Sequence, residues 1–176
     1  GRSMDVSLPQ AYLVGLLLLL GTASVLVARQ ILRVRRDESA LARLEAQAKG
    51  SEKSAGDLYE LASVQLRKRL YGQATENLKL AAKRASGEPS EAQALIENAL
   101  GFALAAQSNY NGAIKHYRAA LRAKSDYPVA LNNLAFALEK QQKSDEAKET
   151  YAKVLELDAS NKTAKRRLKR LERTAA

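Results

Sequence analysis

Residues 130–158, ALNNLAFALEKQQKSDEAKETYAKVLELD, decide the fold of this chain. When residues 94–120 are aligned with residues 128–154, 34 positions further on, small and large side chains coincide. The coinciding pairs are Leu100 with Leu134, Gly101 with Ala135, Leu104 with Leu138, Ala113 with Ala147, Tyr117 with Tyr151 and, just beyond, Leu121 with Leu155. An unrelated helical bundle would not require the same residue types at one constant interval. The stretch is therefore one unit of an internal repeat.

A period of 34 residues with two helices per unit resembles the tetratricopeptide repeat family. The family's two small places and its aromatic place are filled in both units, by Gly101 or Ala135, Ala113 or Ala147, and Tyr117 or Tyr151. The resemblance implies that the first helix of each unit packs antiparallel on the second. Small residues then let the two backbones approach, and Leu and Tyr side chains fill the space beside them.

A third copy lies upstream, with matching places at Leu58, Leu61, Ala62, Ala74, Leu78 and Ala81. Its offset is 39 residues, so five extra residues fall in the connection around AKRASGEPSEAQ. Gly87 and Pro89 are expected to break the helix there, and Ser90 with Gln93 matches a capping box that opens the next helix. A longer surface connection costs little, although it can also distort the superhelix or present a loop to a partner. The predicted repeats are residues 55–88, 94–127 and 128–161.

Residues 162–176 are predicted to form a basic capping helix with Leu168 and Leu171 facing inward, because a solenoid needs an end helix whose outer face is polar. Residues 159–176 hold seven Lys and Arg against one acidic residue, whereas the repeats over 51–158 hold 15 against 14. The exposed cations suit either an anionic lipid surface or an acidic face of a partner protein. The residues expected to make such contacts are Arg166, Arg167 and Arg170.

The N-terminal part has a different composition. GRS before Met4 is expected to be a cloning remnant, and residues 1–7 an N-terminal tail. Residues 8–28, LPQAYLVGLLLLLGTASVLVA, contain no charged side chain and come close to the roughly 20 residues that cross a membrane as a helix. A cleaved signal peptide is an alternative, but Asp5 and the length of the run oppose it. A buried core helix is another, but no later segment offers a comparable apolar surface. The run predicts a single transmembrane helix.

Four arginines lie directly after this run, at Arg29, Arg33, Arg35 and Arg36. The positive-inside bias then places the C-terminal bulk in the cytoplasm or the plastid stroma. The same arginines are expected to contact the membrane surface or a partner. Apolar residues continue on one helical stripe at Ile31, Val34, Leu41 and Leu44, which predicts a basic juxtamembrane stalk over 29–50. Gly50 and Gly56 are expected to end it. The predicted fold class is all-α: a membrane helix and stalk, then a three-repeat α-solenoid with a capping helix.

The family resemblance implies that the first helices of the repeats line a groove that binds a peptide or helix of a partner. The groove residues carried over by position are Tyr59, Ser63 and Leu66, then Leu95, Asn98 and Phe102, then Val129, Asn132, Phe136 and Glu139. Phe102 and Phe136 occupy the same place in successive units, either facing the groove or packing between helices. Chaperone-binding members grip a C-terminal carboxylate with Lys and Arg, but here only Asn133 matches that clamp. Chaperone tails are therefore not the expected ligand.

Reactive side chains are scarce. The chain has no Cys and a single His, His116. No nucleophile–base pair, phosphate-binding loop or metal-ligand spacing occurs, so the sequence predicts neither enzymatic activity nor a cofactor, metal or small-molecule substrate.

Order and size of the segments resemble the small membrane-anchored tetratricopeptide proteins of cyanobacteria and plastids that assist photosystem I assembly. The specific stretches are YLVGLLLLLG, ARQILRVRR and VALNNLAFALEKQ. The resemblance implies a thylakoid membrane protein that binds photosystem I subunits or other assembly factors. Two alternatives remain. One is a general bacterial membrane-tethered scaffold or receptor with a different client. The other is nucleic-acid binding through the basic end helix, which the near-neutral repeats oppose.

Overall fold

The computed structural model describes residues 8–48 and 53–174, and all regular structure in these two ranges is α-helical. The predicted all-α class is therefore confirmed. The predictions for residues 1–7 and for Gly50 lie outside the described residues. The described residues form eight helices: α1 Leu8–Ala48, α2 Ala55–Arg67, α3 Tyr71–Arg84, α4 Ser90–Ala106, α5 Tyr110–Ala123, α6 Pro128–Lys140, α7 Ser144–Leu157 and α8 Lys162–Thr174.

Helix α1 is continuous over the predicted membrane span and into the predicted stalk. The chain divides into two compact units with the boundary between Arg43 and Leu44. In the first unit, apolar side chains such as Leu18 and Leu26 are about two-thirds exposed. Thr22 and Ser24 donate their hydroxyl protons back to carbonyl oxygens one helical turn earlier. These two hydroxyl groups are thus satisfied within the helix itself.

The second unit contains the repeats. Helices α2 and α3, α4 and α5, and α6 and α7 pack as consecutive pairs, and α8 packs on α7. The first helix of each pair also contacts the first helix of the next, α2 with α4 and α4 with α6. The first helices therefore form one layer and the second helices another.

The turn inside each pair has the same geometry in all three repeats. Its left-handed residue is Arg69, Ser108 or Gln142, each with φ near +60°. In the third repeat, the N–H of Gln142 donates to Glu139 O and the N–H of Lys143 to Leu138 O, both at 2.9 Å. This is the Schellman arrangement, which satisfies carbonyls left open at the end of the first helix. Residues other than glycine are strained in this left-handed conformation, so glycine would be more stable at each of these three positions.

Small residues at the helix crossings form the core. Ala62, Ala74, Ala113, Ala135 and Ala147 are fully buried. Tyr117 and Tyr151 are the largest fully buried side chains in the described part of the chain. Burial raises the pKa of both phenol hydroxyls well above the usual value near 10. In α8, Ala164 and Leu171 are buried and Leu168 packs against the same core, as predicted for the capping helix.

Two local predictions were wrong. Pro89, not Ser90, is the N-cap of α4, and no side chain caps this end. Gln93 donates instead to the carbonyl of Glu88, because the helix begins at Ser90, one residue earlier than a Ser90 cap would require. Gly56 does not end a helix but lies in the first turn of α2, whose N-cap Ser54 accepts from the N–H of Asp57 at 3.1 Å.

The five extra residues between the first two repeats do not form a longer loop. Helix α4 has 17 residues, whereas α2 and α6 have 13 each. Relative to the repeat pattern, α4 begins four residues early, at Ser90 instead of Ala94. The insertion is therefore mainly one additional helical turn at the N-terminal end of α4.

Candidate functional site

The candidate site is the set of outward-pointing side chains on α2, α4 and α6, here named the first-helix face. Its exposed large apolar members are Leu95, Phe102 and Val129, at 46%, 45% and 57%. Both Phe102 and the half-buried Phe136 lie outside the set of buried core residues. Of the other residues predicted for the groove, Tyr59, Ser63, Leu66, Asn98, Asn132 and Glu139 are half-buried on the same face.

Amide side chains on this face bond to the neighbouring repeat. Asn133 donates from Nδ2 to Oδ1 of Asn98 at 3.1 Å, which links α6 to α4. Asn132 donates to Oδ1 of Asn161 at 3.2 Å, and Asn161 in turn accepts from the N–H of Ala164 in the first turn of α8. The Asn132 Oδ1 atom is buried without a protein partner. Asn98 and Asn132, both predicted for the groove, are thus hydrogen-bonded to other side chains of the chain, and one acceptor on Asn132 is left over.

Helix α8 closes the C-terminal end of the face. The Arg167 guanidinium lies 4.6 Å from the centre of the Phe136 ring and 3.2 Å from Glu139 Oε2. The same carboxylate oxygen accepts from the Tyr151 hydroxyl, so one acidic group ties α6 to both α7 and α8. The ammonium of Lys140 lies 5.4 Å from the same Phe136 ring. Cations therefore flank Phe136, whereas Phe102 is open.

The N-terminal end of the face contains a cleft of about 250 Å³. One wall is α2, with Ala55, Gly56 and Tyr59. The other wall comes from the additional turn of α4 and the residues around it, namely Glu88, Ala92, Leu95 and Ile96. The inserted residues thus line part of a surface cavity. The repeat pattern alone does not predict this cavity.

The remaining predicted site residues are basic and surface-exposed. Arg29, Arg33, Arg35 and Arg36 are exposed on α1, and Arg166 and Arg170 are exposed on α8. His116 lies on α5, where its Nδ1 is 2.7 Å from Glu97 Oε2 of α4, so it joins the two helices of the second repeat. Among the described residues, no group of His, Asp and Glu has an arrangement that could hold a metal ion.

Comparison with known proteins agrees with the repeat architecture. A family model described as "TPR repeat" matches residues 101–142, and one described as "Tetratricopeptide repeat" matches residues 128–161. The protein ycf37 of Guillardia theta is 30% identical over 161 residues, which cover 92% of this chain and 90% of that protein. The chain belongs to the ycf37 family. The predicted resemblance to plastid tetratricopeptide proteins is thereby confirmed.

Another relative of this ycf37-family chain is a longer protein. The chloroplastic tetratricopeptide repeat domain-containing protein PYG7 of Arabidopsis thaliana is 31% identical over 167 residues. The match covers 95% of this chain but only 55% of the Arabidopsis protein. Among solved structures, MamA superposes with a TM-score of 0.73 at 19% identity and covers 81% of each chain, which shows a shared fold. Family and fold are those of a protein-interaction scaffold, the general function that the sequence predicted.

Proposed function

We propose that this chain is a single-pass thylakoid membrane protein that holds photosystem I subunits, or other assembly factors, on its first-helix face during assembly. The observation that supports this proposal best is the row of exposed apolar side chains on helices of successive repeats, at Leu95, Phe102 and Val129. Exposed apolar residues that line one continuous face are typical of a protein-binding surface. The relationship to a chloroplastic protein supports the thylakoid location.

Helix α1 supports the membrane anchor. It is long and apolar enough to cross a bilayer over Pro9–Glu45, and no other described residue buries the apolar stretch within it. Removing this surface from water would favour insertion by about 25 cal/mol for each Å² of apolar area. The arginines directly after the apolar run favour a cytoplasmic or stromal location for the repeats.

Site-specific crosslinking in native membranes tests the client and the binding face together. A photoreactive residue replaces Phe102 in the full-length chain, and a matched control replaces Leu157, which is also 45% exposed but lies on the second helix α7. We expect photosystem I subunits or assembly factors to crosslink from Phe102 and not from Leu157. Unrelated proteins at Phe102 would instead indicate a general membrane-tethered scaffold, and identical products at both sites would contradict binding on the first-helix face.

Sidedness has its own test, because the natural chain contains no cysteine. A single cysteine at the exposed Glu149 position of α7 should react with a membrane-impermeant maleimide in unbroken thylakoids. The physical reason is that the arginine cluster keeps the repeats on the stromal or cytoplasmic side. Labelling only after the membrane is permeabilised would show the opposite orientation.

A further inference from the structure

The first-helix face is chemically different at its two ends, and this difference indicates the kind of segment it binds. At one end lies the cleft between α2 and the additional turn of α4, with Ala55, Ala92, Leu95 and Ile96 among its walls. At the other end the Arg167 guanidinium covers Phe136. An apolar group fits the first end, and a carboxylate fits the second.

Charge changes along the same row of helices. Helix α4 contains two acidic residues and no Lys or Arg, and α2 contains two acidic residues and one basic residue. Helix α6 contains one residue of each sign, and α8 contains seven basic residues against one acidic residue. The bond from Asn132 to Asn161 places the start of α8 beside α6. The bond from Arg167 to Glu139 keeps the middle of α8 beside the same helix. The row therefore runs from acidic to strongly basic, and its field orients a ligand that is charged at one end.

Arg170 extends this basic end. It lies three residues after Arg167, so the two guanidinium groups share one flank of α8. Glu139 already pairs with Arg167, whereas Arg170 is exposed. Lys169 is equally exposed but only two residues from Arg167, which puts it on another side of the helix. Arg170 is thus available to a ligand that lies on the first-helix face, and Lys169 is not.

We propose, on the basis of the function proposed above, that the partner segment has a large apolar residue for the cleft and a cluster of Asp or Glu for the Arg167–Arg170 flank. Two helix-to-helix spacings of about 9 Å separate these points across the row, or roughly 18 Å. Along the helix axis, the ten residues from the level of Leu95 to the level of Glu139 add about 15 Å, so the total separation is roughly 23 Å. An extended chain covers this distance in about seven residues. The additional turn of α4 is then a specificity element, because it supplies one wall of the apolar subsite.

Selection from a phage-displayed library of random peptides tests the inference. The target is the full-length chain in nanodiscs of neutral phosphatidylcholine. We expect enriched peptides to combine a large apolar residue with carboxylates at the stated separation. Replacing Asp and Glu of a selected peptide by Asn and Gln should weaken its binding at least about tenfold, since charge-assisted contacts are lost. Absence of enrichment, or equal binding of the amide peptide, would overturn the proposal.

Two pairs of variants locate the subsites. Arg170→Glu should weaken the selected peptide about tenfold or more, whereas Lys169→Glu, with the same change in net charge, should leave it nearly unchanged. Gly56→Leu should block the cleft; its Cβ would meet only Ser54 Oγ, at 3.8 Å, so the helix backbone accepts the side chain. Gly72→Leu is its control, since Gly72 faces open space on α3. Equal losses within either pair would overturn the proposal.

Three outcomes separate this inference from its alternatives and from the proposed function. If phosphatidylglycerol in the nanodisc abolishes peptide binding, anionic lipid is the ligand of α8 and the inference is wrong. If photosystem I proteins crosslink from Phe102 while carboxylates make no difference to binding, the proposed function stands and the inference falls. If the selected peptides bind as predicted but no photosystem I protein crosslinks from Phe102, the proposed function is contradicted and the inference stands.

Discussion

Replacing Gly101 with alanine measures how closely the two helices of the second repeat approach. A Cβ atom at Gly101 would lie 2.6 Å from two ring carbons of Tyr117 and 3.1 Å from the carbonyl oxygen of Ala113. Real Cβ contacts are essentially never shorter than 3.0 Å. Tyr117 is only 2% exposed, so its ring cannot move into solvent, and the second contact is a backbone atom of α5. The helices must therefore separate to accept the methyl group.

Two opposing contributions decide whether Gly101→Ala stabilises or destabilises the fold. Alanine improves helix propensity over glycine by about 1 kcal/mol in a helix interior. Overpacking a tight core costs about 1–3 kcal/mol. For Gly101→Ala we expect a net loss of about 1 kcal/mol in the free energy of unfolding. Gly72→Ala supplies the reference, because nothing lies within 4 Å of the added methyl group and only the propensity term, up to about 1 kcal/mol, remains.

Urea unfolding of the full-length chain in detergent, monitored by far-ultraviolet circular dichroism, measures both variants. The two should differ by about 2 kcal/mol, with Gly101→Ala less stable than the natural chain and Gly72→Ala at least as stable. A double variant tests the cause: Tyr117→Leu reproduces the first repeat, which pairs Ala62 with Leu78, and should remove most of the cost of Gly101→Ala. If Gly101→Ala stabilises the chain as much as Gly72→Ala, the close contact is relaxed at no cost and the reasoning is wrong.

Three further predictions concern the turns, the buried phenols and the capping helix. Gln142→Gly should stabilise the fold by about 0.5–1 kcal/mol in the same assay, since the strain of a left-handed side chain exceeds the entropy that glycine loses; no gain would contradict the strain. Burial raises the pKa of Tyr117 in the folded chain, whereas the tyrosines of the unfolded chain lose their protons near pH 10.0. The free energy of unfolding should therefore fall as pH rises above this value. Tyr117→Phe should reduce that slope by about 1.4 kcal/mol per pH unit in alkaline unfolding curves, and an unchanged slope would contradict the assignment. Arg167→Ala should cost at most about 1 kcal/mol, because the ion pair is partly solvated. It should also speed amide hydrogen exchange across α8 relative to Lys169→Ala, and equal exchange would show that Arg167 does not hold the helix.

The repeat architecture was predictable because close packing imposes a strict sequence requirement. A small residue must recur wherever two helices cross, so Ala113 and Ala147 keep the 34-residue interval. The buried side of α8, at Leu168 and Leu171, was predictable because a solenoid needs an end helix whose outer face is polar. The additional turn of α4 was not predictable from spacing, because an insertion of five residues fits a loop as well as a helix. Pro89 is the N-cap of α4, and the residues from Ser90 onward are helical.

Equivalent residues of successive repeats do not always have equivalent surroundings. Phe102 and Phe136 occupy the same place in successive units, yet Phe102 is open and Phe136 lies beneath Arg167. The difference arises because the next helix in the row is not the same for the two residues. Helix α4 packs beside α6, which is another first helix, whereas α6 packs beside α8, whose sequence lies outside the period. Sequence periodicity therefore locates the first-helix face. The two segments that break the periodicity, the additional turn and the basic end helix, make the two ends of this face chemically different. Variants at these two breaks should alter which partner binds, whereas variants at the repeated small residues should alter only whether the chain folds.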